Sequence, residues 1–141
     1  MPMRYLILCL TAIYFSGAAF SQVGRGGAER KDTVEVRSVN GKAKILYGTA
    51  SYYADKFNGR ETANGEVYDS QKMTAACNVL PMGTWIRVTN LSNNRSVVVK
   101  TNDRLHIRMT RIVDLSRVAA EKLGYIGRGL TKVKVEVLRK L

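Results

Sequence analysis

The strongest constraint in this chain is an alternation of apolar and polar residues with a period of two. Between Trp85 and Asn90 it places Trp85, Arg87 and Thr89 on one face and Ile86 and Val88 on the other. Ser92-Asn93-Asn94-Arg95 then turns the chain back into Ser96–Lys100, so the two segments read as a β-hairpin. The same alternation returns at 131–138, where Val133, Val135 and Val137 oppose Lys132, Lys134 and Glu136. That pattern is a strand with one solvated face.

The segments around these strands are short and turn-rich. Ile45–Ala54 is rich in β-formers, with Gly48 inside it marking a bend or bulge. Asp55–Glu66 reads as a loop, since Asn58-Gly59 and Asn64-Gly65 supply positive φ. Gln71–Met73 reads as a single helical turn, and Thr74-Ala75-Ala76-Cys77 is a run of small residues suited to close backbone packing. One helix is expected, over Leu115–Leu123, capped by Ser116 or Asp114 and ended by a left-handed Gly124. Several short strands, frequent turns and one short helix imply a mainly β fold, a small closed barrel. Between Val97 and Ser116 the chain leaves a buried-looking strand, crosses a basic loop and re-enters an apolar run at Ile112-Val113. An acid at such a strand end is where a small β-domain carries chemistry.

The chain has 141 residues, room for one domain and its appendages. Residues 1–21 have the form of a secretory signal peptide: Arg4, an apolar run from Tyr5 to Phe15, and Ala19-Phe20-Ser21 before a cut at Gln22. Cys9 lies within the apolar run, so no lipid anchor is expected. Residues 22–44 read as a flexible tether, in which Val34, Val36 and Val39 make a weak strand broken by Asn40-Gly41. The barrel is expected over residues 45–141. After the cut only Cys77 remains, so no disulfide within the chain is expected and an ordinary core must hold the fold. The net charge of +12 favours anionic partners such as nucleic acid, membrane surface or cell-wall polymer. Export argues against nucleic acid.

Three carboxylates carry candidate chemistry. Asp103 follows a strand and precedes Arg104; it reads as a general acid or base at the rim, or as an Asx-turn acceptor or ion-pair partner of Arg104 or Arg108. Glu66 closes a glycine-rich loop, either held against a ligand or merely exposed. Asp114 is placed to cap the helix more readily than to catalyse. Cys77 as a nucleophile would need His106, the only histidine, and no third group orients the pair; a buried, inert thiol is the simpler reading. One Cys and one His are a poor start for zinc, and no metal or other cofactor is expected. Tyr47, Tyr52 and Tyr53 read as core residues, although an aromatic row on a strand also stacks on sugar rings.

Seven motifs in order carry a resemblance: Gly48-Thr-Ala-Ser-Tyr-Tyr53, Phe57-Asn-Gly-Arg60, Thr62-Ala-Asn-Gly-Glu66, Met73-Thr-Ala-Ala-Cys77, Leu80-Pro-Met-Gly-Thr84, Asn102-Asp-Arg104 and Arg111-Ile-Val-Asp-Leu-Ser116. Over Tyr47–Leu138 the chain resembles the rare lipoprotein A family of septal-ring lytic transglycosylases. The resemblance implies a six-stranded double-psi β-barrel and a groove for peptidoglycan glycan strands, preferably free of stem peptides. It implies cleavage between N-acetylmuramic acid and N-acetylglucosamine to a 1,6-anhydro end. The signal peptide sets the expected place in the periplasm or outside the cell, and a monomer is expected. Asp103 and Glu66 match the family's functional acids, with Asp114 as the fallback. Cys77, Arg104, His106, Tyr52 and Asn64 are expected as substrate contacts. Cys77 stands where the family carries histidine, which puts activity in question and leaves a non-catalytic glycan-binding barrel as the alternative. Leu105-His106 replaces the family's Gly-Pro after Asn-Asp-Arg, and His106 is a candidate to reach into the groove in place of the missing histidine. Septal targeting and outer-membrane anchoring are not expected to carry over.

Overall fold

A computed structural model describes residues 35–39 and 43–138. The expected signal peptide and most of the tether lie outside the described residues. Among the described residues seven strands and one α-helix follow in order, with a single 3-10 turn (Asp55–Phe57) after the second strand: β1 (Glu35–Val39), β2 (Ala43–Tyr52), β3 (Thr74–Ala76), β4 (Trp85–Asn90), β5 (Ser96–Asp103), β6 (Val113–Leu115), α1 (Arg117–Leu123) and β7 (Thr131–Val137). The period-two segments became β4, β5 and β7, and the run of small residues became the short β3.

The strands line up as β1-β2-β6-β3-β5-β4-β7, and β7 returns to pair with β2. Strands β2 to β7 thereby close a six-stranded ring. Four of its pairings are antiparallel, while β2–β6 and β3–β5 are parallel. Parallel neighbours need long crossovers, and here each crossover threads past the other pair. The result is a double-psi barrel rather than an up-and-down one.

Within residues 22–44, read as a tether, only a weak strand at Val34, Val36 and Val39 was expected, separate from the barrel. Instead Glu35–Val39 pairs antiparallel with Ala43–Tyr47, so the strand hinted at by the valines forms and lengthens the sheet upstream of Ile45.

Alternation sends Ile86 and Val88 of β4, Val97 and Val99 of β5, and Val133 and Val135 of β7 into one core with Leu46, Val113 and Leu115. The helix adds Ala119, Ala120 and Leu123 to the same core. It is shorter than the sequence suggests, beginning at Arg117. Ser116 occupies the N-cap position, but its hydroxyl makes no capping bond and is buried without a partner. Asp114 does not cap either; its carboxylate is bound elsewhere. Gly124 closes the helix as expected, at φ 75°. The last carbonyl, Leu123 O, accepts the side-chain amides of Asn90 (2.9 Å) and Asn93 (2.8 Å), which fastens the helix end to the β4–β5 turn.

Gly48 marks no bulge. β2 runs through it in unbroken register opposite β7, pairing Gly48 with Val133. The glycine is needed because Ile112, buried just before β6, packs directly on its Cα; an added Cβ would lie 2.6 Å from Ile112 Cγ2. Gly48→Ala is therefore expected to lower stability by about 1–3 kcal/mol through overpacking. Gly48→Ala combined with Ile112→Ala, which removes the clashing γ carbons, should cost less than the sum of the two single changes. Urea denaturation midpoints of the wild type, single and double variants check both expectations.

Candidate active site

The two parallel crossovers bring three strand ends into one row. Ala76 of β3 pairs with Asp103 of β5 on one side and Asp114 of β6 on the other. Paired residues on neighbouring strands project to the same face, and strands lie ~4.8 Å apart, so the two aspartates stand roughly 10 Å apart at their Cα atoms. Only a methyl group lies between them. A large residue at position 76 would fill the floor of the site.

The register shifts at this row. Ala75 pairs with Thr101 but Ala76 pairs with Asp103, so Asn102 is an extra residue in β5. Such a bulge re-aims the side chains around it. Thr101 is buried and bonded to the Pro81 carbonyl, whereas Asp103 opens into a cleft of about 450 Å³.

Three donors hold the Asp103 carboxylate. Oδ1 accepts the backbone N–H groups of Ala63 (2.9 Å) and Arg104 (2.8 Å), and Oδ2 accepts the phenol of Tyr53 at 2.5 Å. Backbone amides only donate, so Oδ1 is fixed as an acceptor. Oδ2 is the oxygen able to exchange a proton with a bound molecule. Tyr53 is itself immobilised, stacked on Tyr68 with ring centroids 4.3 Å apart and edge-on to Phe57. Burial, followed by the adjacent Asp103 carboxylate, pushes the Tyr53 phenol well above its ordinary value. It therefore remains a donor at any physiological pH.

Glu66 and Asn64 lie beside the cleft, outside its lining, on an exposed loop docked to β5. The loop from Thr62 to Glu66 folds on itself through Thr62 N–H to Glu66 O (2.7 Å) and Thr62 Oγ1 to Asn64 Oδ1 (2.6 Å). It docks on β5 by Asn64 N–H to Asn102 O at 3.3 Å. The Glu66 carboxylate then accepts Asn64 Nδ2 (2.9 Å) and Asn102 Nδ2 (3.0 Å). The Asn102 bond, then the Asn64 bond, hold it below the usual carboxylate range, with Lys100 and Lys72 adding to the effect. Glu66 is exposed and ionised, an anion beside the cleft and not a proton donor.

The remaining expected residues divide. Tyr52 lines the cleft, its hydroxyl tied to Ile126 O at 3.0 Å. His106 lines it from the exposed rim, where its Nδ1 accepts the Arg108 N–H at 3.2 Å. Asp114 also faces the cleft, but both its oxygens are taken by Arg111, at 2.9 and 3.0 Å. Arg104 contributes to the wall, yet its guanidinium turns inward to the carbonyls of Cys77 and Leu80, so it fastens the β3–β4 connection instead of offering its charge to a ligand. Cys77 is the buried thiol that its local sequence favours and not a groove contact. Its side chain is 1% exposed within the core cluster, outside the cleft lining, and burial pushes its thiol up. Only its backbone serves the site, donating N–H to Asp103 O at 3.0 Å. Among the described residues, no group of three or more His, Cys, Asp or Glu side chains gathers to hold a metal ion.

Sequence reasoning named Tyr53 but not its bond to Asp103, which spans 50 positions. It also passed over Phe57, Arg60 and Arg111 as lining residues, though each lies within a motif already singled out.

Residues 45–135 match the family model described as lytic transglycolase. Curated relatives include the endolytic peptidoglycan transglycosylase RlpA of Pseudomonas aeruginosa (strain UCBPP-PA14), 52% identical over 95 residues, covering 67% of this chain and 28% of the relative. The protein of the same name from Haemophilus influenzae is 48% identical over 97 residues, covering 69% of this chain and 34% of its own. That of Campylobacter jejuni is 36% identical over 148 aligned positions, covering 92% and 54%. The chain thus spans about a third of the length of the first two relatives. Among solved structures, the Streptomyces papain inhibitor aligns with a TM-score of 0.56 at 21% identity, covering 76% of this chain and all of that one. The Clavibacter michiganensis expansin aligns at 0.53 and 21% identity, covering 69% and 52%. These two likenesses concern the barrel alone. The match across the barrel, and the identity with the curated relatives, place this chain in the lytic transglycolase family, among its rare lipoprotein A members.

Proposed function

We propose that the protein is an endolytic lytic transglycosylase that cleaves peptidoglycan glycan strands in the cell envelope, outside the cytoplasm. The observation that carries this reading is the Asp103 carboxylate, presented to an open cleft with one oxygen pinned by two backbone amides and the other held by a rigid phenol. A lytic transglycosylase needs no activated water. Its acid protonates the leaving glycosidic oxygen, and the resulting carboxylate takes a proton from the sugar's own 6-hydroxyl as that oxygen closes on the anomeric carbon. The attack is intramolecular, so positioning supplies much of the rate. Asp103 Oδ2 keeps a second lone pair beside its bond to Tyr53, and this is the position for both proton transfers. Glu66, held ionised, stabilises the positive charge that develops on the sugar ring. Asp114 is committed to Arg111 and shapes the wall.

Cys77 supports a second reading, a glycan-binding barrel that does not cleave, because a buried thiol cannot replace the polar side chain that the family places at that position. The readings separate on one experiment. The protein is incubated with amidase-treated peptidoglycan and the products are read by mass spectrometry. Anhydro-terminated glycans are expected. Retained binding without such products would leave the binding-only reading.

Asp103→Asn should abolish products while strands still sediment with the protein. Tyr53→Phe keeps the aromatic stack but frees Oδ2, and is expected to lower kcat about tenfold with KM little changed. Glu66→Gln should slow the reaction and flatten the acidic limb of the pH–rate profile, because the ionised carboxylate is the acting form and it is protonated only below the usual carboxylate range. An acidic limb left unchanged by this variant would overturn the electrostatic role of Glu66.

A further inference from the structure

The only tryptophan of the chain lies outside the cleft. Trp85 opens β4 and is 42% exposed, beside Val98 at 41%. Its cross-strand partner is Lys100 of β5, whose ammonium sits over the indole at 5.9 Å from the ring centroid. Arg87, two residues along β4, projects from the same outer face and is also exposed. A single exposed aromatic residue on a surface needs no explanation, and a lysine over it contributes only about 0.5–1 kcal/mol. The position of this pair is what distinguishes it.

Lys100 lies two residues before Asn102 on β5, and Asn102 Nδ2 holds Glu66 Oε2 at 3.0 Å. Asp103 follows directly. Along β5, then, an exposed indole, an ammonium, the ionised Glu66 and the cleft carboxylate stand in sequence. Three residues of strand separate Lys100 from Asp103, about 10 Å, within the reach of a short oligosaccharide. Lys100 also helps to keep Glu66 ionised, so its charge faces the loop that leads to the cleft.

The geometry points to a second sugar-binding position at the Trp85–Lys100 pair, where the indole stacks on a pyranose and the ammonium meets a carboxylate borne by that sugar. An indole face takes the apolar face of a sugar ring, as it does other flat or weakly polar surfaces. Lys100 supplies the cation beside the indole, Arg87 being paired across the strands with Glu136, and a neutral sugar would leave the Lys100 charge unused. In a peptidoglycan strand the ring carrying a carboxylate is N-acetylmuramic acid, through its lactyl group. The occupant is therefore a muramyl unit distant from the scissile bond. This inference rests on the glycan-strand reading above and extends it along the strand.

Because Trp85 is the sole tryptophan, indole fluorescence reports this position alone. The full-length Asp103→Asn protein is titrated with peptide-free peptidoglycan strands and, separately, with chitooligosaccharides, which lack the lactyl carboxylate. Sedimentation with insoluble peptidoglycan runs in parallel. The strands are expected to give a saturable change in emission. Lys100→Gln should weaken strand binding about tenfold and leave chitooligosaccharide binding unchanged, whereas Trp85→Ala, which has no indole to report, should lower retention on insoluble peptidoglycan. Val98→Glu changes an exposed residue outside the core, so the fold is kept, and its charge should repel the strand. Emission unmoved at saturation, or Val98→Glu binding as wild type, overturns the second position while cleavage by the wild type stands. Equal losses for both ligands in Lys100→Gln overturn the carboxylate assignment. Absence of any strand retention overturns this inference and the proposed function together.

Discussion

A three-residue strand joins the two halves of this barrel. It does so on one side, β3 pairing in parallel with β5 and antiparallel with β6, while β2–β7 closes the ring on the other. Two of its three side chains are alanines, both buried. Their smallness leaves Ala76 as a bare floor between Asp103 and Asp114. Closing the ring and opening the cleft are thus one requirement on one strand. A bulkier β3 would disturb both.

Around that floor the site is built mostly from main-chain donors and from side chains whose own bonds are already made. Asp103 is held by two amides and a phenol, and the phenol is held by a stack of rings. Glu66 is held by two asparagines, one of which is the bulged residue of β5. Two arginines at the cleft are anchored, Arg104 through one guanidinium nitrogen to carbonyls of the β3–β4 connection and Arg111 to Asp114. Little side-chain entropy remains to be lost when a substrate arrives, which is what a reaction relying on position requires.

The parts of this arrangement that were legible in the sequence are those governed by local periodicity. The β4–β5 hairpin, β7, the Gly124 cap and the closed, mainly β character all follow from spacing two, spacing near 3.6 and turn chemistry. Asp103 stood out because it ends a strand. What was hidden depends on contacts between distant segments. Nothing near Tyr53 marks it as the partner of Asp103. Gly48 reads as a bulge until Ile112 is seen lying on it. β3 is too short for any period to show. Cys77 illustrates the limit of motif matching: the position carries over from the family, but a buried thiol turns a site position into a core position. Asp114 shows the reverse case, since a residue suited to capping by its place before the helix was claimed by an arginine three residues earlier.

β1 changes where the folded unit begins. One side of β2 is covered in three parts: β1 along Ala43–Tyr47, the Ile112 N–H on Thr49 O, and β6 along Ala50–Tyr52. The family match starts at residue 45. A fragment cut there would retain every strand of the ring yet leave the first residues of β2 with bare amides and carbonyls on that side, an open edge ready to pair with another molecule. The boundary drawn by hydrogen bonding lies upstream of the one drawn by homology, and it is the former that a soluble fragment has to respect.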